Sequence, residues 1–266
     1  MPKVSVVTID KTHAVNAPVG YSGLADALAY YDDEKSPLHL HLHRIAPGET
    51  LRIGPMETDC VAYVWHGAVT AGGWPMGKGS SLIVEHGETL EVEGGNEPAE
   101  VLAFHAAAAP AHPRAGGHVH LLPTERVPRK QDLGGSPMAV GGGMHADSGC
   151  PTCEVWLHEN HFPGGRRQLT PEEEKRGVHS HSEDEIIFVI DGEIRLGNKL
   201  YGPGTAVAIA ADTLYSFTTG PGGLSFINFR AGTPGDIQFA NGMAISETGY
   251  WAERQMKPSY VSPRYG

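Results

Sequence analysis

Three cysteines in 266 residues are too few for a disulfide framework, and the setting expected from them is a reducing cytoplasm. Nowhere does the chain run for about 18 apolar residues, the length a helix needs to cross a bilayer. The opening MPKVSVVTIDKTH carries no apolar core of the secretory kind, so no leader is expected there. Positive charge is scarce. Twenty Lys and Arg against 31 Asp and Glu give a formal net charge of −11, which argues against a surface for nucleic acid or an anionic membrane. No helix-turn-helix segment is evident either. Glycine and proline are plentiful, at 35 and 20, as expected of many short strands joined by tight turns.

One stretch carries most of the chemistry: GVHSHSEDEIIFVIDGEIRLGNKLYGPGTAVAIAADTLYSFTT, residues 177–219. His179 and His181 are two apart and Glu185 follows four later. On one continuous strand, even spacings share a face, so all three side chains aim at one point. Two imidazoles and a carboxylate suit Fe, Mn, Ni, Cu or Zn and leave positions open for water, O2 or substrate. Around them, the apolar run 186–190 ends at Asp191–Gly192, which predicts a tight hairpin with 193–196 as the return strand. Gly197–Asn198 reads as a second turn, and 205–209 and 215–217 as further strands. Short antiparallel strands of this kind predict a small barrel or jelly roll.

The segment HSHSEDEIIFVIDG resembles the first cupin motif, HxHx3Ex6G, with His179, His181, Glu185 and Gly192 in place. GTAVAIAADTLYSFT resembles the second motif in part. Gly204 matches, whereas Ala210, Asp212, Tyr215 and Thr219 stand where the family has proline, glycine, histidine and asparagine. That histidine is usually the family's fourth metal ligand. Tyr215 in its place is read as an acid/base group or a hydrogen-bond donor beside the metal. Coordination by Tyr215, by His158 or by His161 is the alternative. A free phenol ionises near pH 10, so base work by Tyr215 needs the metal or another cation to lower its pKa.

An internal repeat sets the expected domain count. Residues 45–48 (IAPG) parallel 161–164 (HFPG), 62–67 (AYVWHG) parallel 187–192 (IFVIDG), and 79–87 parallel 204–212. The expectation is all-β, two tandem cupin (jelly-roll) barrels. Residues 1–110 form a degenerate first barrel, 111–150 a linker, 151–240 the metal-binding barrel, and 241–266 a tail that packs on a barrel or a partner. Matching Gly67 to Gly192 puts Gly54, Met56, Cys60 and Leu90 at the four ligand positions of the first barrel, so no ligand survives there.

Other motifs are read more plainly. In Leu38–His43 the leucines and histidines alternate. A half-exposed strand whose imidazoles hydrogen-bond or face solvent is preferred to a metal site. The segment 23–31 could be a short helix or an edge strand. His118 and His120 lack a following acid and are taken as structural. Cys150 and Cys153 form a CxxC, read as two reduced thiols at a strand entry. The alternative is a separate Cys2His2 zinc site with His145 and His158. Thr170–Glu173 resembles a capping box that opens a short helix.

The resemblance implies a metal-dependent enzyme, Fe²⁺ being the first choice of metal. The leading expectation is a dioxygenase acting on a small phenolic or dicarbonyl substrate. The alternatives are a redox-neutral lyase or isomerase in which Tyr215 moves a proton, and a non-enzymatic small-molecule-binding barrel. Resemblance to two-barrel cupins also implies a homodimer.

Overall fold

The computed structural model describes residues 3–16, 18–23, 26–130, 141–147, 149–165, 177–253 and 256–264. The helix predicted to open at Thr170–Glu173 lies outside them. Two compact units divide the chain. Unit 1 is Met1–Asp10, Pro128–Ser148 and Trp156–Lys257. Unit 2 is Lys11–Val127, Gly149–Val155 and Pro258–Gly266. Both are built almost wholly of antiparallel strands. No helix among the described residues is long and apolar enough to cross a membrane.

In unit 1 one sheet runs in the order Val4–Thr8, Thr205–Ile209, Glu185–Leu196, Thr218–Arg230, Trp156–Pro163, Gly141–Ala146, Arg129–Lys130. A three-stranded sheet joins His179–Ser180, Asp236–Phe239 and Ala244–Ser246. The core follows from period two: Ile187 and Val189 of one strand meet Val207, Ile209, Leu224 and Phe226 of its neighbours. In unit 2 a seven-stranded sheet runs from Val119–Leu122 through Ser81–Val84, Cys60–His66, Ala99–Ala106, Leu38–Ile45 and Asp26–Tyr31 to His13–Val15. A five-stranded sheet, ordered Tyr21–Gly23, Thr50–Ile53, Leu90–Gly94, Ala68–Ala71 and Trp74–Gly77, accompanies it. The segment left open between helix and edge strand is thus an inner strand, Asp26–Tyr31. Among the described residues each sheet runs from one edge strand to another, and none closes on itself.

The hairpin predicted at Asp191–Gly192 does not form. Glu185–Leu196 continues through it as one strand, with register breaks against Thr218–Arg230 on both sides of Gly192. Gly192 takes φ +69°, and the glycine bends the strand as a bulge without reversing it. Reversal comes at Gly197–Asn198, after which Lys199–Tyr201 pairs back.

A Cβ on Gly192 would lie 2.4 Å from the Gly223 carbonyl oxygen, whereas one on Gly202 meets nothing within 4 Å. Gly192→Ala is therefore expected to lose about 1–3 kcal/mol, and Gly202→Ala a few tenths at most. Urea-unfolding midpoints at unchanged m-value check both. Equal effects of the two substitutions would contradict the bulge as the source of strain.

Candidate functional site

His179 opens a two-residue strand, and its main chain exchanges hydrogen bonds with Tyr215: the His179 N–H donates at 3.0 Å and the Tyr215 N–H at 2.9 Å. This pairing holds the two rings 4.6 Å apart. The continuous strand predicted through His181 is interrupted, because Ser182–Asp184 are polar residues that turn and serve loop amides. Asp184 Oδ1 accepts from the Ala211 N–H at 3.0 Å, Glu183 Oε1 accepts from Gly235 at 3.1 Å, and the His181 carbonyl accepts from Asp212 at 2.7 Å. Glu185 then starts the next strand. The break keeps the three side chains together: the imidazoles are 5.1 Å apart, and His181 Nε2 lies 3.9 Å from Glu185 Oε2.

Three further residues complete the centre, and the sequence reading missed all of them. Arg230 is 1 % exposed. Its Nη2 donates to Glu185 Oε2 at 3.1 Å and reaches His181 Nε2 at 3.4 Å, while Nη1 donates to Glu247 Oε2 at 2.5 Å. Asn228 Nδ2 donates to Glu185 Oε2 at 2.6 Å. Glu247 opens the helix Glu247–Ala252 behind an N-cap serine, Ser246, and lies 3.3 Å from His181 Nδ1. Asn228 and Arg230 were findable, since they share a strand face with the core residues Leu224 and Phe226 at period two.

These contacts assign the tautomers. A carbonyl only accepts, so the 2.8 Å bond from His179 Nδ1 to the Gly177 oxygen puts the proton on Nδ1. A guanidinium only donates, so His181 Nε2 is the acceptor and its Nδ1–H faces Glu247. Both Nε2 atoms carry lone pairs. Glu185 Oε1 accepts no hydrogen bond of ordinary geometry among the described residues. Burial opposes ionisation of Glu185, but Arg230, His181, Asn228 and Tyr215 outweigh it and hold the carboxyl below its usual range. Glu247 is likewise held down against burial, chiefly by Arg230. Desolvation, then the Glu185 charge, push the Tyr215 phenol well above its ordinary value. With no cation beside it Tyr215 keeps its proton, so base work there needs a metal to lower its pKa.

The other fourth-ligand candidates are engaged elsewhere. His158 Nδ1 accepts from the Trp156 indole at 2.8 Å, and burial lowers its pKa to about 3, so Nε2 carries the proton and offers no lone pair. His161 contacts Ser225 Oγ at 2.8 Å and Glu159 Oε2 at 3.3 Å. His145 Nε2 lies 3.3 Å from Glu159 Oε1. Within unit 2, the groups gathered around Cys150 and Cys153 are Glu85 and His120.

In unit 2 the histidines of Leu38–Ile45 depart from their expected half-exposed role. His41 and His43 are buried, as is His105 on the neighbouring strand. Among the described residues neither ring nitrogen of His41 has a hydrogen-bond partner, nor do Nε2 of His39, His43 and His105. Beside them, the Tyr21 hydroxyl is 3.5 Å from the Cys60 sulfur.

No family model and no curated protein matches the chain. Among solved structures it is similar to protein YlbA from E. coli, at 14 % identity over 86 % of this chain and 90 % of that one, TM-score 0.66. It is also similar to the Bacillus subtilis oxalate decarboxylase studied for its Mn(II) centres, at 14 % identity over 95 % and 84 %, TM-score 0.61. A further oxalate decarboxylase structure matches at 13 % identity over 98 % and 89 %, TM-score 0.63. These likenesses show the fold, which is of the cupin type.

Burial lowers His41 and His43 to about 3 and His105 to about 4. An unfolded imidazole takes its proton near pH 6.5, so between there and about pH 4 the unfolded state binds more protons and stability falls as pH falls. The depressed carboxyls Glu185 and Glu247 add a second loss below the ordinary carboxylate range. Unfolding free energy measured by urea from pH 7 to pH 4 is expected to decrease steadily. A flat profile over that window would contradict neutral buried imidazoles.

Proposed function

We propose that His179, His181 and Glu185 of unit 1 hold a divalent transition metal and that the protein is a metal-dependent enzyme acting on a small oxygen-bearing substrate. The observation that carries this reading is the tautomer pair, which leaves a lone pair on each Nε2, that of His181 being met by Arg230 Nη2 at 3.4 Å, a contact a bound ion would replace. Hydrogen bonds to Gly177 and Glu247 fix Nδ1–H on both histidines, and the carboxylate behind His181 is the usual outer partner of a metal-bound imidazole. Glu185 keeps Oε1 available. Two imidazole nitrogens and a carboxylate fit Mn, Fe, Ni, Cu or Zn, with Fe²⁺ and Mn²⁺ both in keeping with the mixed N/O donors. The internal repeat further supports reading the two units as tandem jelly-roll barrels.

The bound ion would act as a Lewis acid on a substrate carbonyl or carboxylate oxygen. The chain's own groups supply the rest. Tyr215 retains its proton beside Glu185 and is the donor for a substrate atom gaining negative charge. Glu247 and Asn228 fix His181 and Glu185, which keeps the donors aimed. Redox-neutral chemistry, a lyase or isomerase reaction on a small carboxylate, fits the placement of the Tyr215 ring beside His179 and His181. The structural likeness to an oxalate decarboxylase with Mn(II) centres supports the same choice. Dioxygenation of a phenolic or dicarbonyl compound is the competing chemistry, supported by a three-donor set that leaves adjacent positions open.

One contact favours a second reading. Arg230 Nη2 already lies against His181 Nε2 and Glu185 Oε2, so the guanidinium could itself be the resident cation of a metal-free small-molecule-binding barrel. Elemental analysis separates the two. About one Mn, Fe, Ni or Cu per chain, lost in His179→Ala/His181→Ala, is the expected result, and no such metal in the folded wild type would favour the binding barrel. With metal present, turnover of small carboxylic and dicarbonyl acids without O2 uptake is expected. Tyr215→Phe should lower kcat by about 10²–10⁴-fold while leaving the metal content unchanged.

A further inference from the structure

We propose that Glu85, His120, Cys150 and Cys153 of unit 2 form a structural zinc site, independent of the His179/His181/Glu185 centre. One ligand atom from each of the four lies within 4.8 Å of the others. The Cys150 sulfur is 3.7 Å from Glu85 Oε1 and 3.8 Å from His120 Nε2, and His120 Nε2 is 2.7 Å from Glu85 Oε1. Zinc bonds of about 2.0–2.3 Å to N, O and S imply tetrahedron edges of roughly 3.3–3.8 Å. Small side-chain shifts would bring the four atoms to that geometry.

The surroundings are those of a built site. Cys150 and Cys153 are free thiols, 6 % and 1 % exposed, and Glu85 is 1 % exposed. A buried carboxylate facing two thiols and an imidazole, with no lysine or arginine paired to it among the described residues, calls for a cation. Backbone and side-chain bonds hold the ligands in place from outside. The His118 N–H donates to Glu85 Oε2 at 2.9 Å, and the Thr152 hydroxyl donates to Glu85 Oε1 at 2.6 Å. The Cys153 N–H donates to the Cys150 sulfur at 3.1 Å, which fixes the position of that sulfur. Arg114 Nη1 donates to the carbonyls of Cys150 and Cys153 and clamps the turn between them.

The ligands come from three separate segments, which explains the choice of partners. Ser81–Val84 pairs with Val119–Leu122 so that Ile83 faces His120 and Val84 faces Val119. Glu85 thus follows directly beside His118 and His120, and the CxxC turn closes on that strand end. Two thiolates favour zinc over the harder ions suited to the nitrogen and oxygen donors of unit 1.

The test uses the whole chain. Purified protein carrying His179→Ala/His181→Ala is expected to retain about one zinc, and the further change Cys150→Ser/Cys153→Ser to lose it. Because the cysteine variant could fail to fold, Co²⁺ added to metal-depleted wild type gives a second readout: a thiolate-to-cobalt charge-transfer band with the intense visible bands of a tetrahedral ion. His120→Ala should weaken that Co²⁺ binding by about tenfold or more. A folded wild type that gives no thiolate–cobalt band overturns the proposal, as does a Cys150–Cys153 disulfide in freshly purified protein. Zinc that survives loss of both cysteines would overturn it too.

Discussion

A guanidinium at 1 % exposure has lost nearly all of its hydration, and the interior tolerates it only where its charge is met. Arg230 is met on two sides, by Glu185 and by Glu247, and burial of its charge is outweighed by them. The same carboxylates are what orient the histidine: Glu247 faces His181 Nδ1, and Glu185 faces its Nε2. Removing any one member would leave a buried charge or a buried donor unpaired. The centre is therefore a single electrostatic unit. It commits Oε2 of Glu185 to Arg230 and Asn228 and leaves Oε1 for whatever enters.

The two units solve the interior problem differently. Unit 1 fills its polar centre with one guanidinium set between two carboxylates. Unit 2 fills the inside of Leu38–Ile45 and Ala99–Ala106 with imidazoles kept neutral by burial, beside Tyr21 and Cys60. Its charged chemistry lies where the strands Ser81–Val84 and Val119–Leu122 meet the CxxC turn. A repeat in sequence has thus been kept as a repeat in strand order, while the polar residues have been redistributed between interior and strand end.

Much of this was legible in the residues. His179, His181 and Glu185 could be grouped from spacing and from the resemblance to the first cupin motif, and Gly192 was rightly marked as special, although as a hairpin and not as a bulge. Turn glycines look alike in sequence, and only the partner strand, passing 2.4 Å from the missing Cβ, decides which is which. Arg230 and Asn228 lay open to a period-two reading of LSFINFR that was not made. Glu247 did not, because its role depends on a helix start returning to a strand far away in sequence. The pairing of Val4–Thr8 with Thr205–Ile209 and the bridge from Leu121 to Val261 are long-range in the same way. Likewise, the CxxC was read first as two reduced thiols, with zinc as the alternative, and its neighbours Glu85 and His120 follow from strand register, which local pattern does not encode.

The most direct measurement is anomalous diffraction from crystals grown with Mn²⁺, with data collected on both sides of an absorption edge that identifies the ion. A peak bounded by His179 Nε2, His181 Nε2 and Glu185, with Glu247 still bonded to His181 Nδ1, is the expected result. A guanidinium remaining against His181 Nε2 with no anomalous peak beside it would contradict the metal centre and leave Arg230 as the only cation there.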